Sequence, residues 1–166
     1  MKATEVIRLA LQTSLDWARG AASSMAETPL VHPTPRGGNH PMWVVGHSAY
    51  AEDGLLAKIT GEPPRLDHWK PLFGAGTEPT AIADDYPPFE EVLAAFVEVR
   101  GRTLRLLEEI GDAGLDRPPA RVPQALRDLP PFKSVGTMLT FIALHQMNHV
   151  GQLCDARRAA GRKWTN

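Results

Sequence analysis

The stretch His145-Gln146-Met147-Asn148-His149 lies inside the last long segment whose apolar residues recur at helical spacing. Residues four positions apart on a helix lie on the same face, one turn from each other. Both imidazole rings can therefore point at one metal ion. The stretch predicts a helix that carries two candidate metal ligands, and another part of the chain must supply the third.

Apolar periodicity predicts four long helices, separated by loops that hold most of the 15 prolines. Helix one covers residues 2–26, helix two runs from Pro41 to Thr60, and helix three covers residues 88–110. Helix four follows the capping residue Ser134 and ends near Ala160. Pro41 suits a first helical turn, and Gly61 is a natural end for helix two.

Each predicted helix has one stripe that we expect to face the core. The stripes are Val6, Ala10, Thr13 and Trp17; Val44, His47, Ala51, Gly54 and Lys58; Val92, Phe96, Val99, Thr103, Leu106 and Ile110; and Met138, Phe141, His145, Asn148 and Gln152. No alternating pattern of useful length predicts a strand. The expected fold is all-α, a four-helix bundle with long Pro-rich connections that forms one domain over residues 1–166. Its topology is left open.

Residues 61–87 form an unusually long connection, and connections of that length often act as covers over a site. Its aromatic residues, Trp69 and Phe73, predict that it packs against the bundle. A second connection covers residues 112–133, with one short turn expected near Gln124–Arg127.

Charge and composition exclude several classes of partner. The net charge is −1 and 22% of the residues are charged, so no basic surface is expected to attract nucleic acid or a membrane. No apolar run has the length needed to cross a bilayer, and the N-terminus lacks the core of a signal peptide. With the single Cys154, these features predict a cytoplasmic protein.

Three histidines, His47, His145 and His149, lie on stripes that their helices should bury. A single buried histidine is often satisfied by a backbone carbonyl, but three in one bundle core favour convergence on a metal. Zn²⁺ binds neutral imidazole, and a catalytic zinc site typically has three protein ligands and one open position. Imidazole also suits nickel, copper and iron, so the sequence does not fix the metal.

Two common metal sites do not fit the sequence. A zincin has Glu directly after the first histidine of the pair, whereas residue 146 is Gln. A ferritin-like di-iron site needs Glu-x-x-His pairs, and the sequence has none. A mononuclear three-histidine site remains. A closed structural site would need a fourth donor, for which the candidates are a loop histidine such as His40 or a residue of another chain.

Three further polar residues are candidates for catalysis. Asn148 and Gln152 lie near the histidine face of helix four, where they can bond a ligand, and Tyr50 follows His47 by one turn as a possible acid or donor. Simple packing or bundle polarity is the alternative for each. Cys154 and His149 lie on different faces of helix four. We therefore expect Cys154 to be a small buried residue that does not bind the metal.

The sequence resembles the DinB/YfiT-like superfamily over nearly its whole length. Two stretches carry the resemblance: Gly38-Asn39-His40-Pro41-Met42-Trp43-Val44-Val45-Gly46-His47 and His145-Gln146-Met147-Asn148-His149-Val150-Gly151-Gln152-Leu153. Members are four-helix bundles that hold a divalent metal through one histidine of helix two and an H-x-x-x-H pair on the last long helix. The resemblance therefore implies His47, His145 and His149 as ligands of zinc or nickel, with iron as an alternative. It also implies a homodimer.

The resemblance leaves three functions open. Similar proteins include transferases that use low-molecular-weight thiols such as bacillithiol or mycothiol, which implies a metal-dependent thiol S-transferase acting on a small molecule. The second possibility is metal-dependent hydrolysis of a small ester, amide or chlorinated compound. The third is a non-catalytic metal-binding bundle with a role in stress responses.

Overall fold

The computed structural model describes residues 1–163, so residues 164–166 of the predicted domain lie outside it. The described chain forms five α-helices and no strand. They are α1 (Ala3–Ser23), α2 (Pro41–Thr60), α3 (Lys70–Phe73), α4 (Phe89–Ile110) and α5 (Val135–Ala159). Short 3-10 turns lie at Asp67–Trp69, Ala83–Asp85, Asp112–Gly114, Gln124–Leu126 and Pro130–Phe132. The four long helices confirm the predicted all-α fold, and α2 has the predicted bounds. None of the helices in residues 1–163 is long and apolar enough to span a membrane.

Local chemistry explains where α2 and α5 begin and end. The side chain of His40 accepts a hydrogen bond from the backbone N–H of Trp43 at 3.1 Å, and Pro41 occupies the first helical turn. Gly61 ends α2 with φ of 84°, a left-handed conformation that glycine adopts without strain. Ser134 caps α5 by accepting from the backbone N–H of Thr137 at 3.2 Å.

The long helices run in two opposite directions. The first halves of α1 and α5 share one core cluster with the ends of α2 and α4. The second cluster contains the later parts of α1 and α5 and the beginnings of α2 and α4. Therefore α1 and α5 run parallel to each other, and α2 and α4 run in the opposite direction.

This topology explains the long connection between α2 and α4. Two parallel helices require the chain to return along the whole bundle, so residues 61–88 run from the end of α2 back to the beginning of α4. Trp69, Phe73 and Tyr86 of this connection are buried in the core. The structure confirms the prediction that the aromatic residues pack the connection against the bundle.

The predicted buried face of α1 is wrong. The buried residues of this helix are Ile7, Leu11, Ser14, Leu15, Ala18, Ala21 and Ala22. Val6 and Trp17, which belong to the predicted stripe, are 50% and 49% exposed. Apolar residues cover two adjacent faces of α1, and packing against α5 and α4 decides which one is buried.

The predicted faces of α4 and α5 need smaller corrections. On α4, Leu107 and Arg100 are buried, whereas Leu106 and Ile110 are half-buried. On α5, Met138 is buried but Asn148 is exposed. A stripe drawn through every third or fourth residue therefore locates the buried face to within about one residue position.

A buried ion pair joins three helices between the two core clusters. The guanidinium of Arg100 (α4) donates to both carboxylate oxygens of Glu52 (α2) at 2.8–3.2 Å. It also donates to the hydroxyl of Ser14 (α1) at 2.9 Å and to the carbonyl of Leu11. Because the hydroxyl of Thr103 donates to Glu52 as well, both charges are neutralised and hydrogen-bonded.

Candidate metal centre and adjoining cavity

Three histidines from two helices meet between α2 and α5. The ring centroid of His47 lies 5.3 Å from that of His145 and 5.0 Å from that of His149. The two rings of α5 are 4.6 Å apart, and their Nε2 atoms are 3.3 Å apart. One nitrogen from each of the three rings lies within 4.8 Å of the others. The structure thus brings the predicted ligands together.

The orientation of His47 is fixed from outside α2. Its Nδ1–H donates to the backbone carbonyl of Phe73 at 2.8 Å, so the Nε2 lone pair is available for a ligand bond. The ring of Trp43 stacks on His47 at 4.5 Å with an interplanar angle of 7°. Phe73 lies directly over Gly46, where an added Cβ would be 2.2 Å from the phenyl ring. Gly46 therefore lets the connection approach α2 closely enough to hold His47.

A second contact fixes the orientation of His149. Its Nδ1 lies 3.1 Å from Oε1 of Gln152, and the side-chain amide of Asn39 donates to the same oxygen at 3.0 Å. Because an amide oxygen accepts and cannot donate, His149 carries its proton on Nδ1 and has a free lone pair on Nε2. Hydrogen bonds to the ring nitrogen that does not bind the metal orient metal-binding histidines in many proteins.

Burial favours the neutral form of all three histidines. Burial lowers the pKa of His47, partly opposed by the hydrogen bond to Phe73. Burial, with smaller contributions from the two neighbouring rings, lowers the pKa of His145 to about 4. Burial also lowers the pKa of His149. A metal binds the neutral form of imidazole, so these shifts favour a metal site.

The donor set fits a divalent metal. Zinc–imidazole bonds of about 2.0–2.1 Å at a tetrahedral angle place two ligand nitrogens about 3.3–3.4 Å apart. The two Nε2 atoms of His145 and His149 have a separation of 3.3 Å. The hydrogen bonds to Phe73 and Gln152 engage Nδ1 of His47 and of His149, so Nε2 of each ring is available to a metal. Within residues 1–163, no carboxylate belongs to this group. The arrangement suits a metal that accepts three neutral nitrogen ligands.

Comparison with known families supports this geometry. The sequence profile described as the DinB superfamily matches residues 10–153, which include all three histidines. The chain belongs to the DinB superfamily. No curated protein matches the chain. Membership of the DinB superfamily, together with the helical bundle and the three-histidine group, is compatible with metal binding.

An open cavity adjoins the histidines of this DinB-type bundle. Its volume is about 590 Å³, and both His47 and His145 line it. Tyr50 and Asp67 line it near His47, and Phe141 packs against the His145 ring with centroids 5.8 Å apart. A pocket of this size suits a small molecule. The candidate metal position therefore lies at the wall of a binding cavity.

The remaining candidates occupy different positions. Tyr50 lines the cavity, and burial, with a smaller contribution from the Asp67 carboxylate, raises its pKa above the usual value of about 10. Gln152 contacts His149 through the oxygen described above. Asn148 is exposed on α5. The catalytic roles of these three residues stay predictions.

His40 and Cys154 differ from the sequence-based expectations. Nδ1 of His40 accepts from Trp43, and its Nε2–H donates to the carbonyl of Thr80 at 2.8 Å. Nδ1 caps α2 and Nε2 bonds the connection at Thr80, and His40 is not part of the histidine group. The suggestion of His40 as a fourth ligand is therefore wrong. Cys154 is half-buried instead of buried. In agreement with the expectation, it is not part of the histidine group.

Sequence reasoning missed the groups that orient the histidines. Phe73 acts through its backbone carbonyl, which carries no sequence signal. Asn39 lies 113 residues before Gln152, and helical periodicity does not connect them. Gly46 was the one available clue, because a glycine inside a buried helix often marks a close approach of another segment.

Proposed function

We propose that this chain is a metal-dependent transferase that uses a low-molecular-weight thiol. The observation that carries the proposal is that His47 and His145, two of the three candidate ligands, also line the cavity. A molecule in the cavity therefore has direct access to a metal held by the three histidines. Three protein ligands with one open position are typical of catalytic sites, whereas structural zinc sites are closed by four.

A thiol is favoured because it needs no protein base. A divalent metal strongly lowers the pKa of a thiol that coordinates it. The histidine group itself contains no carboxylate among the described residues. The reaction forms a bond between the thiol sulfur and an electrophilic carbon, while the bond from that carbon to its leaving group breaks and the leaving group keeps the electron pair. The thiol proton passes to solvent or to the leaving group.

The protein's own side chains serve binding and orientation in this proposal. Phe73 and Gln152 hold the rings of His47 and His149 so that Nε2 stays free. Because its pKa is raised, Tyr50 stays protonated at neutral pH and donates a hydrogen bond or a proton in the cavity. Asn148, which is exposed on α5, is kept in the proposal as a candidate hydrogen-bond donor to the substrate.

Metal analysis combined with thiol turnover tests the proposal. Purified protein should contain about one zinc or nickel ion per chain, with iron as the alternative, and should consume a thiol with an electrophile. The His149→Ala variant should lose the metal and the activity, whereas His68→Ala, at an exposed loop position, should keep both. Turnover that needs the metal but no thiol would instead favour hydrolysis of a small molecule. A loaded protein with four protein ligands and no turnover would favour a non-catalytic bundle.

Three further features belong to the same proposal. The chain is expected to act as a homodimer in the cytoplasm, and a single domain is expected to contain the whole site. Sedimentation of the metal-loaded protein tests the dimer. A sharp single unfolding transition of the metal-loaded protein tests the single domain.

A further inference from the structure

The cavity beside the histidines is elongated along α2. His47, Ala51, Gly54 and Lys58 all line it, and their spacing of four, three and four residues places them on one face of the helix. The helical rise of 1.5 Å per residue puts the Cα atom of Lys58 about 16 Å from that of His47 along the axis. The Lys58 ammonium leans back towards Gly54, whose carbonyl accepts from it at 3.1 Å. The cavity therefore has a metal end and a distant end.

Small residues form the floor between these ends. A Cβ added to Gly54 would have one neighbour within 4 Å, the Nζ atom of Lys58 at 3.9 Å. A glycine in a helix interior is unfavourable relative to alanine, and packing against another segment does not require it here. The space above Gly54 belongs to the cavity.

Aromatic and aliphatic side chains form the opposite wall. Phe132 and Phe141 contact each other with centroids 6.2 Å apart, and Phe141 continues to His145. Leu126 lines the same cavity. A continuous apolar wall therefore leads from the metal end towards the distant end, and it suits a ligand with an apolar body.

Two cationic side chains lie at the distant end. The backbone N–H of Arg121 donates to the carbonyl of Lys58 at 2.9 Å, so the second connection is tied to α2 at this point. Neither cation forms an ion pair with a carboxylate in the described part of the chain. The ammonium of Lys58 donates to the carbonyl of Gly54 at 3.1 Å, which leaves two of its three protons for a ligand. The positive charges of both side chains are therefore available to an anionic group.

Two carboxylates also line the cavity, and their positions differ. Asp67 affects the pKa of Tyr50, which is one turn from His47, and so lies towards the metal end. A divalent metal held by three neutral imidazoles leaves a positive charge there for Asp67 to balance. Glu62 follows Gly61, which ends α2 just beyond Lys58, so one carboxylate and two cations line this end of the cavity.

We propose that the cavity binds an elongated small molecule that has an apolar body and an anionic group, with the anion held by Lys58 and Arg121. The inference rests on the proposed function for the orientation of the ligand, whose thiol or electrophilic end faces the histidines. Gly54 determines the length of ligand that fits. Lys58 and Arg121 determine its charge.

A homologous series of ligands tests length and charge together. The probes are ω-mercaptocarboxylates of increasing chain length and the ω-mercaptoalcohols of the same lengths, titrated into Co²⁺-loaded protein and followed by the cobalt absorption spectrum. Carboxylates long enough to reach Lys58 should bind about tenfold more tightly than the matching alcohols. The shortest members should show no such preference.

Matched variants locate the effect. Lys58→Met combined with Arg121→Gln should remove the preference for the carboxylate, while Arg19→Gln on the exposed side of α1 should preserve it. Gly54→Leu should weaken binding of the long members and leave the shortest unchanged. Gly20→Leu, at a helical glycine with nothing within 4 Å of an added Cβ, is the control for the helix substitution.

The outcomes separate this inference from the proposed function. Thiols that change the cobalt spectrum with equal affinity at every length and charge would overturn the inference and leave the thiol proposal standing. A spectrum that no thiol changes would overturn the thiol proposal. In that case, calorimetry with fatty carboxylates and fatty alcohols, which lack the thiol, tests the inference. A preference for the carboxylate that is lost in the Lys58 and Arg121 variant supports it. Equal affinity of the unmodified protein and that variant for the carboxylate overturns it.

Discussion

Gly46 shows how one residue without a side chain affects the candidate metal centre. The ring of Phe73 occupies the space that a Cβ of Gly46 would need, and the carbonyl of Phe73 holds His47. We expect Gly46→Ala to displace Phe73 and to weaken metal binding about 10- to 100-fold. Loss of a hydrogen bond that orients a metal-binding histidine has an effect of this size in other metal sites. Competition titration with a chelating dye measures the affinity.

The control for this substitution is Gly20→Ala. It adds the same methyl group to a helix where nothing lies within 4 Å of it, so metal affinity should not change. Equal affinity of the two variants would mean that the contact between Phe73 and His47 does not support the site.

His145 gives the metal-free protein a specific pH dependence. Its pKa is about 4 in the folded protein and about 6.5 in an unfolded chain. As the pH falls from about 6.5 to about 4, the unfolded chain gains a proton that the folded chain does not, so the free energy of unfolding decreases. His47 and His149, whose pKa values are also lowered, act in the same direction.

Urea unfolding of the metal-free protein at pH 7 and pH 5 measures this dependence. The His145→Asn variant should lose less stability between the two pH values than the unmodified chain. His68→Asn, at an exposed position, should follow the unmodified chain. The same loss in all three proteins would show that His145 does not contribute.

At the scale of the elements, α1 offers a direct test of which face is buried. Leu11 is fully buried and Val6 is 50% exposed, although both belong to apolar stripes. Leu11→Ala should lower the free energy of unfolding by about 2–5 kcal/mol because it leaves a cavity between helices. Val6→Ala should change it by about 0.5 kcal/mol or less. Chemical denaturation distinguishes this from the reverse order, which the predicted stripe would require.

The sequence was sufficient for the four long helices and insufficient for their faces, and it did not predict α3 inside the long connection. Pro41 and Gly61 mark the ends of α2 through local chemistry, and both ends were predicted correctly. The face of α1 depends on which of two apolar stripes meets α5, and that choice is made by residues far away in the chain. The direction of α4 relative to α2 has the same origin, because the length of the connection permits either arrangement.

At the scale of the whole molecule, the pair of Arg100 and Glu52 connects α1, α2 and α4. Arg100 is fully buried and Glu52 is 3% exposed. Removing one partner leaves a buried charge without its counter-charge, so Arg100→Met should cost about 3–5 kcal/mol of unfolding free energy. Replacing both, with Arg100→Met and Glu52→Leu, should cost less than the single substitution.

Urea denaturation of the two variants measures this difference. Arg105→Met, on an exposed part of the same helix, is the control and should change stability by about 0.5 kcal/mol or less. A double variant that is less stable than Arg100→Met would show that the pair contributes net stability beyond neutralising its own charges.

The site could be predicted from sequence to the same extent as the helices. The four-residue spacing of His145 and His149 places both rings on the same face of α5, one turn apart. His47 lies on the buried side of α2, which is directed towards them. The carbonyl of Phe73, the amide of Asn39 and the side chain of Arg121 come from the segments between the long helices. Their positions depend on the return path of the chain, which composition and periodicity do not specify.

The division of the site between helices and connections has a consequence for diversification. The candidate ligands belong to α2 and α5, whereas residues 62–75 and 121–132 supply much of the outer cavity wall. Connections tolerate insertion and deletion better than packed helices. A library randomised at the exposed lining positions Glu62, Ala75 and Arg121, with Phe73 kept, should therefore change the ligand specificity of the cavity while the three histidines keep their spacing. The bundle is in this sense a starting point for presenting one candidate metal centre to many ligands.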